Sequence, residues 1–196
     1  SDTADTTEAP VTTPPETEPP APPPEQRVSI LAVGDNIIHE AVFTDAKNRA
    51  ADGAEYDFVP MYTGVAERIS AADIAFINHE SPAAGKEYGI SGYPTFNSPR
   101  ESVDALVEVG FDVINLANNH ILDKRVAGAR ATVEFVQSLP VTELGVYLDE
   151  ADHKNLRITE VDGIRIAWLS YFDLSILYYT PGMTNIVIPL MDDDAK

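Results

Sequence analysis

The sequence predicts an α/β fold, and three observations carry the expectation. Near-continuous runs of β-branched and aliphatic residues recur along the chain, as strands buried on both faces do. Between them lie stretches whose apolar residues repeat at spacings of three and four, as amphipathic helices do. Strand–helix–strand alternation of this kind implies parallel strands with helices packed on their faces. The 196 residues show no internal repeat and suffice for one domain with a real core.

Not all of the chain is domain. Residues 1–26, SDTADTTEAPVTTPPETEPPAPPPEQ, hold eight of the fifteen prolines, six threonines and six acids, with no base. A stretch with so little apolar surface cannot offset its ordering entropy, so a disordered, partly polyproline-like tether is expected there. It reads either as an arbitrary tail or as a spacer from a membrane or wall. The chain opens without Met and without a signal sequence, so it reads as a mature or trimmed segment. The spacer reading then places a removed signal or a lipid-anchored cysteine upstream.

The domain is expected over residues 27–196. RVSILAVGD is its first strand, buried on both faces and closing on Gly34-Asp35. Residues 56–71 read as a helix, with Phe58, Met61, Val65 and Ile69 on one face. ADIAFINHE is the second strand, and GISGYPTFNSP is a loop by its Gly and Pro content. Ser98-Pro99-Arg100-Glu101 reads as a helix start, with Ser98 as N-cap and Pro99 at the first helical position. That helix runs to Val109 and stops at Gly110, and residues 111–117 form the third strand. Residues 126–139 are a helix with Val126, Ala129, Val133 and Val136 along one side. Strands follow at 145–148, 156–161 and 165–171, the last two joined by a hairpin turn at Asp162-Gly163. Beyond Tyr171 no period is clear.

Charge narrows the function classes. The net charge is −19, and without the tail's six acids it is −13. A field of that sign argues against nucleic acid as a partner and requires a cation to hold any anionic substrate. The absence of cysteine excludes disulfides and thiolate metal sites, and it fits an exported protein. No stretch is long and apolar enough to span a bilayer, so membrane association is expected only through an N-terminal anchor.

Three strands end in polar clusters: Gly34-Asp35-Asn36 with His39, Asn78-His79-Glu80, and Asn118-Asn119-His120 with Asp123. Parallel strands place all three at one sheet edge, where open α/β sheets form their sites. Carboxylate, amide oxygen and imidazole together favour Mn²⁺, Zn²⁺ or Fe²⁺ over Mg²⁺ or Ca²⁺. Two such ions would need a bridging carboxylate, a part open to Glu80 or Asp35. Each residue alone also has a structural reading. Asp35 suits a turn or cap, Glu80 a solvated loop, Asn119 and His120 backbone caps, and His39 and His79 surface or packing positions. Asp123 suits orienting His120 or opening the next helix.

The motifs ILAVGDNIIHE, FINHESPAAG, GYPTFNSP and GFDVINLANNHILDK, in that order, resemble the CapA-type capsule or poly-γ-glutamate synthesis family of the calcineurin-like metallophosphoesterase superfamily. The resemblance covers roughly residues 28–175. It implies an α/β/β/α sandwich with a two-metal site, of which the chain holds the N-terminal half and is C-terminally truncated. It implies Asp35, Glu80 and Asn119 as metal ligands, with Glu80 bridging. It also implies His120 as a substrate-facing general acid oriented by Asp123, and His39 in place of the missing Asp-x-His imidazole. Asn118 stands where the superfamily has Gly, and the later histidine motifs have no counterpart. The implied function is a cell-envelope or extracellular, metal-dependent hydrolase or transferase acting on an anionic polymer or phosphoester. Its implied partners are other capsule-synthesis membrane proteins. A non-catalytic assembly subunit and a general exported phosphoesterase are the alternatives.

Overall fold

Four strands in chain order make the main sheet: β1 (Ile30–Asn36), β2 (Ile74–His79), β3 (Val113–Asn115) and β4 (Thr142–Leu144), every neighbouring pair parallel. The structure, a computed structural model, describes residues 25–51, 53–173 and 186–190. The expected tether, apart from its last two residues, and most of the aperiodic end lie outside the described residues.

Right-handed crossovers that always step the same way put their helices on one face of a sheet. Here these are α1 (Glu40–Arg49), α2 (Ala66–Ser70), α3 (Glu101–Val109) and α4 (Arg125–Gln137). Val103 and Leu106 of α3 and Ala129, Val133 and Val136 of α4 are fully buried in one cluster with Ala75, Ile77 and Ile114 of the sheet. The alternate strand residues Ile74, Phe76, Val113 and Leu144 form a second cluster with Val161, Ile166 and Trp168. Those last three belong to an antiparallel hairpin, β5 (Arg157–Val161) and β6 (Ile164–Trp168), whose Trp168 stacks on Phe76 at 5.9 Å and 11°. Its turn is Asp162-Gly163, both at positive φ, as a two-residue hairpin requires. A short helix α5 (Glu150–Lys154) precedes it. The order is helices, sheet, hairpin: an α/β fold, with three layers of the expected sandwich among the described residues.

Several sequence expectations are corrected. Among the described residues β1 is an edge strand and not buried on both faces, with Ile30 and Val33 48% and 39% exposed. Residues 56–71 are not one helix. Pro60 sits in a 3-10 turn (Val59–Tyr62), Gly64 follows, and only the short α2 remains. Phe58 and Ile69 are buried as expected, but Met61 and Val65 are exposed. Ser98 does not cap α3: its hydroxyl donates to the Pro82 carbonyl, and the helix begins without a side-chain cap. The fourth strand lies three residues earlier than expected, because Gly145 ends it at φ 101. A Cβ there would come 2.6 Å from the Ala117 nitrogen, so no side chain fits where the two chains pass.

Candidate functional site

β1, β2 and β3 end in register, with Asp35 beside Asn78 and Asn78 beside Asn115. Strand side chains alternate between faces, so the dipeptides Asp35-Asn36 and Asn78-His79 split between two environments. One set joins the hairpin side of the sheet and the other joins the helix side.

On the hairpin side the polar groups form a ladder. Asn78 Nδ2 donates to Asp35 Oδ1 at 2.7 Å, Asn115 Nδ2 donates to Asn78 Oδ1 at 2.9 Å, and Ser170 Oγ donates to Asn115 Oδ1 at 2.6 Å. Glu80 stands half-buried beside Asp35. Burial first, then the Asp35 charge and a hydrogen bond to Asp35, hold the Glu80 carboxyl above its ordinary range, while His120 pulls it the other way. Two strand ends therefore deliver two adjacent carboxylates, with an imidazole close enough for its charge to be felt.

On the helix side the groups are closed to ligands. Tyr62 OH donates to Asn36 Oδ1 at 3.1 Å, Asn36 Nδ2 donates to His79 Nδ1 at 3.0 Å, and His79 Nε2 lies 3.4 Å from Ser98 Oγ. The Ser98 proton is committed to the Pro82 carbonyl, so the imidazole must donate from Nε2. His79 is thus neutral, fully buried and satisfied at both nitrogens, and burial brings its pKa down to about 4. It belongs to the frame, in line with its packing reading.

His120 is oriented. Its Nδ1 meets Asp123 Oδ2 at 2.8 Å, and the same oxygen accepts the Phe96 N–H at 2.6 Å. The Phe96 ring stands edge-on to His120 at 4.6 Å and to His39 at 4.9 Å. The loop that carries Phe96 is tied by paired backbone bonds between Ser91 and Asn97 and by the fully buried Asn97 side chain, which bonds Ala84 and Gly85. GYPTFNSP is therefore a clamp for His120 and Asp123. His39 sits exposed at the N-cap of α1. Asn118 is the tied amide of its pair, donating to the His79 carbonyl and accepting the His120 N–H, and Asn119 is exposed.

The donor set suits a divalent cation in part. Asp35 and Glu80 offer adjacent hard oxygens, and Asn119 is exposed at the end of the neighbouring β3 segment. Among the described residues, however, no three His, Asp or Glu side chains gather closely enough to enclose an ion. The arrangement is an open ligand set rather than a cage. The groove of about 460 Å³ beside Asp35, along β1, is walled by Leu31, Val33, Val65, Ile69 and Phe111 with Arg68 among them.

Sequence reasoning missed Asn115, Ser170 and Phe96 as parts of this site. An Asn within the apolar run VINLA was a visible signal for Asn115. Ser170 had none, since its partner lies 55 residues away.

Comparison with known proteins bears on this geometry. The family model for the bacterial capsule synthesis protein PGA_cap matches residues 29–184. The PGA biosynthesis protein CapA of Bacillus subtilis (strain 168) is 34% identical over 182 residues, covering 86% of this chain and 46% of that protein. The capsule biosynthesis protein CapA of Bacillus anthracis is 34% identical over 77 residues, 39% of this chain and 19% of that one. An uncharacterized protein of Sinorhizobium fredii is 30% identical over 153 residues, 72% of this chain and 30% of that protein. The chain thus spans less than half the length of each of these curated relatives.

Proposed function

The chain belongs to the bacterial capsule synthesis family PGA_cap, and from that premise we propose that it acts in poly-γ-glutamate capsule synthesis at the cell envelope through a divalent-cation site on Asp35 and Glu80. The observation that carries this reading is the pair of carboxylates brought together from two strand ends, with Glu80 held above its ordinary range beside Asp35. A cation bound there would supply Lewis acidity and neutralise a carboxyl or phosphoryl oxygen of the substrate. An all-oxygen set of Asp35, Glu80 and Asn119 suits Mn²⁺ among the expected ions, and Zn²⁺, Fe²⁺ or a second ion would come in only with His39 or further ligands.

The chain's own residues do the rest. Asp35 and Glu80 concentrate the cation in a protein that is otherwise repelled by an anionic polymer. Asp123 accepts from His120 Nδ1 and so turns Nε2 to the substrate side; the doubly protonated ring would pass its Nε2 proton to the leaving group and be left as the neutral Nδ1–H tautomer. Phe96 limits the ring's movement from its edge. The N-terminal stretch would tether the domain outside the cell, beside the membrane proteins of capsule assembly.

The test is elemental analysis of the natural full-length protein beside Asp35→Ala and Asn119→Ala. Near-stoichiometric metal lost in both folded variants supports the site. Metal-free protein throughout favours the second reading, a non-catalytic binding or assembly subunit. Turnover of generic aryl phosphates, lost in Asn119→Ala, would instead identify a general exported phosphoesterase.

A further inference from the structure

The ladder on the hairpin side contains more than the carboxylate pair needs. Asn78, Asn115 and Ser170 come from three different elements or element ends, and together they run from the second layer to Asp35. The direction of every bond follows from one end. A carboxylate only accepts, so Asn78 must turn Nδ2 toward Asp35. Its Oδ1 then faces Asn115, which must answer with Nδ2. Asn115 thereby turns Oδ1 toward Ser170, whose hydroxyl must donate.

The same logic runs backwards. Among the described residues, Asn115 has besides the ladder only two long contacts with the Ala117 backbone, one at each end of its amide and both at 3.4 Å. Both favour the observed amide orientation, but at that length only weakly. The 2.6 Å bond from Ser170 favours the same orientation strongly. If Asn115 flipped, it would turn oxygen against the Asn78 oxygen, and relief would require Asn78 to flip and turn oxygen against the Asp35 carboxylate.

We infer that Ser170 is a positioning residue for Asp35, acting through Asn115 and Asn78, so that the hairpin layer sets the orientation of a carboxylate on the opposite edge strand. The consequence for ligand binding rests on the cation reading above. Asp35 Oδ1 takes its hydrogen bond from Asn78, so Asn78 serves as the ligand's hydrogen-bond partner rather than as a ligand. Outer partners of this kind typically change metal affinity by about 10–100-fold when removed.

The experiment uses the natural full-length protein labelled with ¹⁵N at asparagine, with Mn²⁺ as the probe. Side-chain amide resonances are recorded without metal, and Mn²⁺ affinity is measured by titration. Thermal melts confirm folding of each variant. Ser170→Ala should shift the side-chain amides of both Asn115 and Asn78 and weaken Mn²⁺ binding severalfold, and Ser170→Thr should restore both. Asn78→Leu should weaken Mn²⁺ by about 10–100-fold. Unmoved Asn78 resonances in Ser170→Ala would overturn the relay, and so would an unchanged Mn²⁺ affinity in Asn78→Leu. If the wild-type protein takes up no Mn²⁺, the cation reading falls, and the relay is decided by the metal-free amide resonances alone.

Discussion

His120 owes its geometry to one near neighbour in the sequence and one distant one. Asp123 holds Nδ1, Phe96 packs against the ring, and the Phe96 backbone shares the same Asp123 oxygen. Removing that oxygen breaks two bonds at once and strands the Phe96 N–H. Asp123→Ala should therefore lose about 2–4 kcal/mol of stability, read by urea unfolding. It should also remove the preference for the Nδ1–H tautomer of His120 in ¹⁵N spectra. Asp123→Asn keeps an acceptor and should lose less than half as much. An unchanged tautomer in Asp123→Ala would show that Asp123 does not orient the ring. His79 makes the opposite case, an imidazole without a functional opening. Its ¹⁵N signals should report a neutral Nε2–H ring down to about pH 4.

Elements were legible in proportion to how much of their surface is buried. α4, β2 and the hairpin turn at Asp162-Gly163 were readable because their patterns report real packing. α1 went unread because only Ala46 of its ten residues is fully buried, so no apolar period marks it. β1 was read as buried on both faces because its aliphatic run is indifferent to whether a covering element is present. The site was half legible. Strand ends announced Asp35, Glu80 and His120, but the face each side chain takes depends on register, which sent His79 one way and Asn78 the other. The end of β4 offers a direct test of such a constraint. Gly145→Ala forces a positive φ on a residue with a side chain and drives Cβ into the Ala117 backbone. It should cost about 2–4 kcal/mol in urea unfolding and shift the Ala117 and Asn115 amide signals. A cost below about 0.5 kcal/mol would mean that the two chains part easily there.

At the scale of the whole molecule, Arg157 ties the layers together. Its guanidinium bonds the Glu143 backbone and carboxylate on β4, Asp152 of α5, and the Asn155 carbonyl. Glu143 is nevertheless so deeply buried that desolvation outweighs Arg157 and Gln137, and its pKa rises from 4.5 to about 7. Between those values the folded chain holds a proton that the unfolded chain has released, so this group makes stability fall as pH rises from about 4.5 to 7. His79 does the reverse. Its pKa drops from 6.5 to about 4, the unfolded chain holds the extra proton in that window, and stability rises with pH until about 6.5. Each contribution is on the order of 3 kcal/mol, and over the shared window the two oppose each other. Glu143→Gln removes one of them. Relative to wild type, its unfolding free energy should climb steadily from pH 4.5 to 7 and then hold constant. Measured alone, it should show the acid sensitivity that His79 imposes and Glu143 offsets. Urea unfolding at pH 4.5, 5.5, 6.5 and 7.5 decides the matter, since all other groups cancel in the difference. Parallel curves for the two proteins would mean that Glu143 is charged in the folded state throughout, with its pairing to Arg157 stronger than its burial.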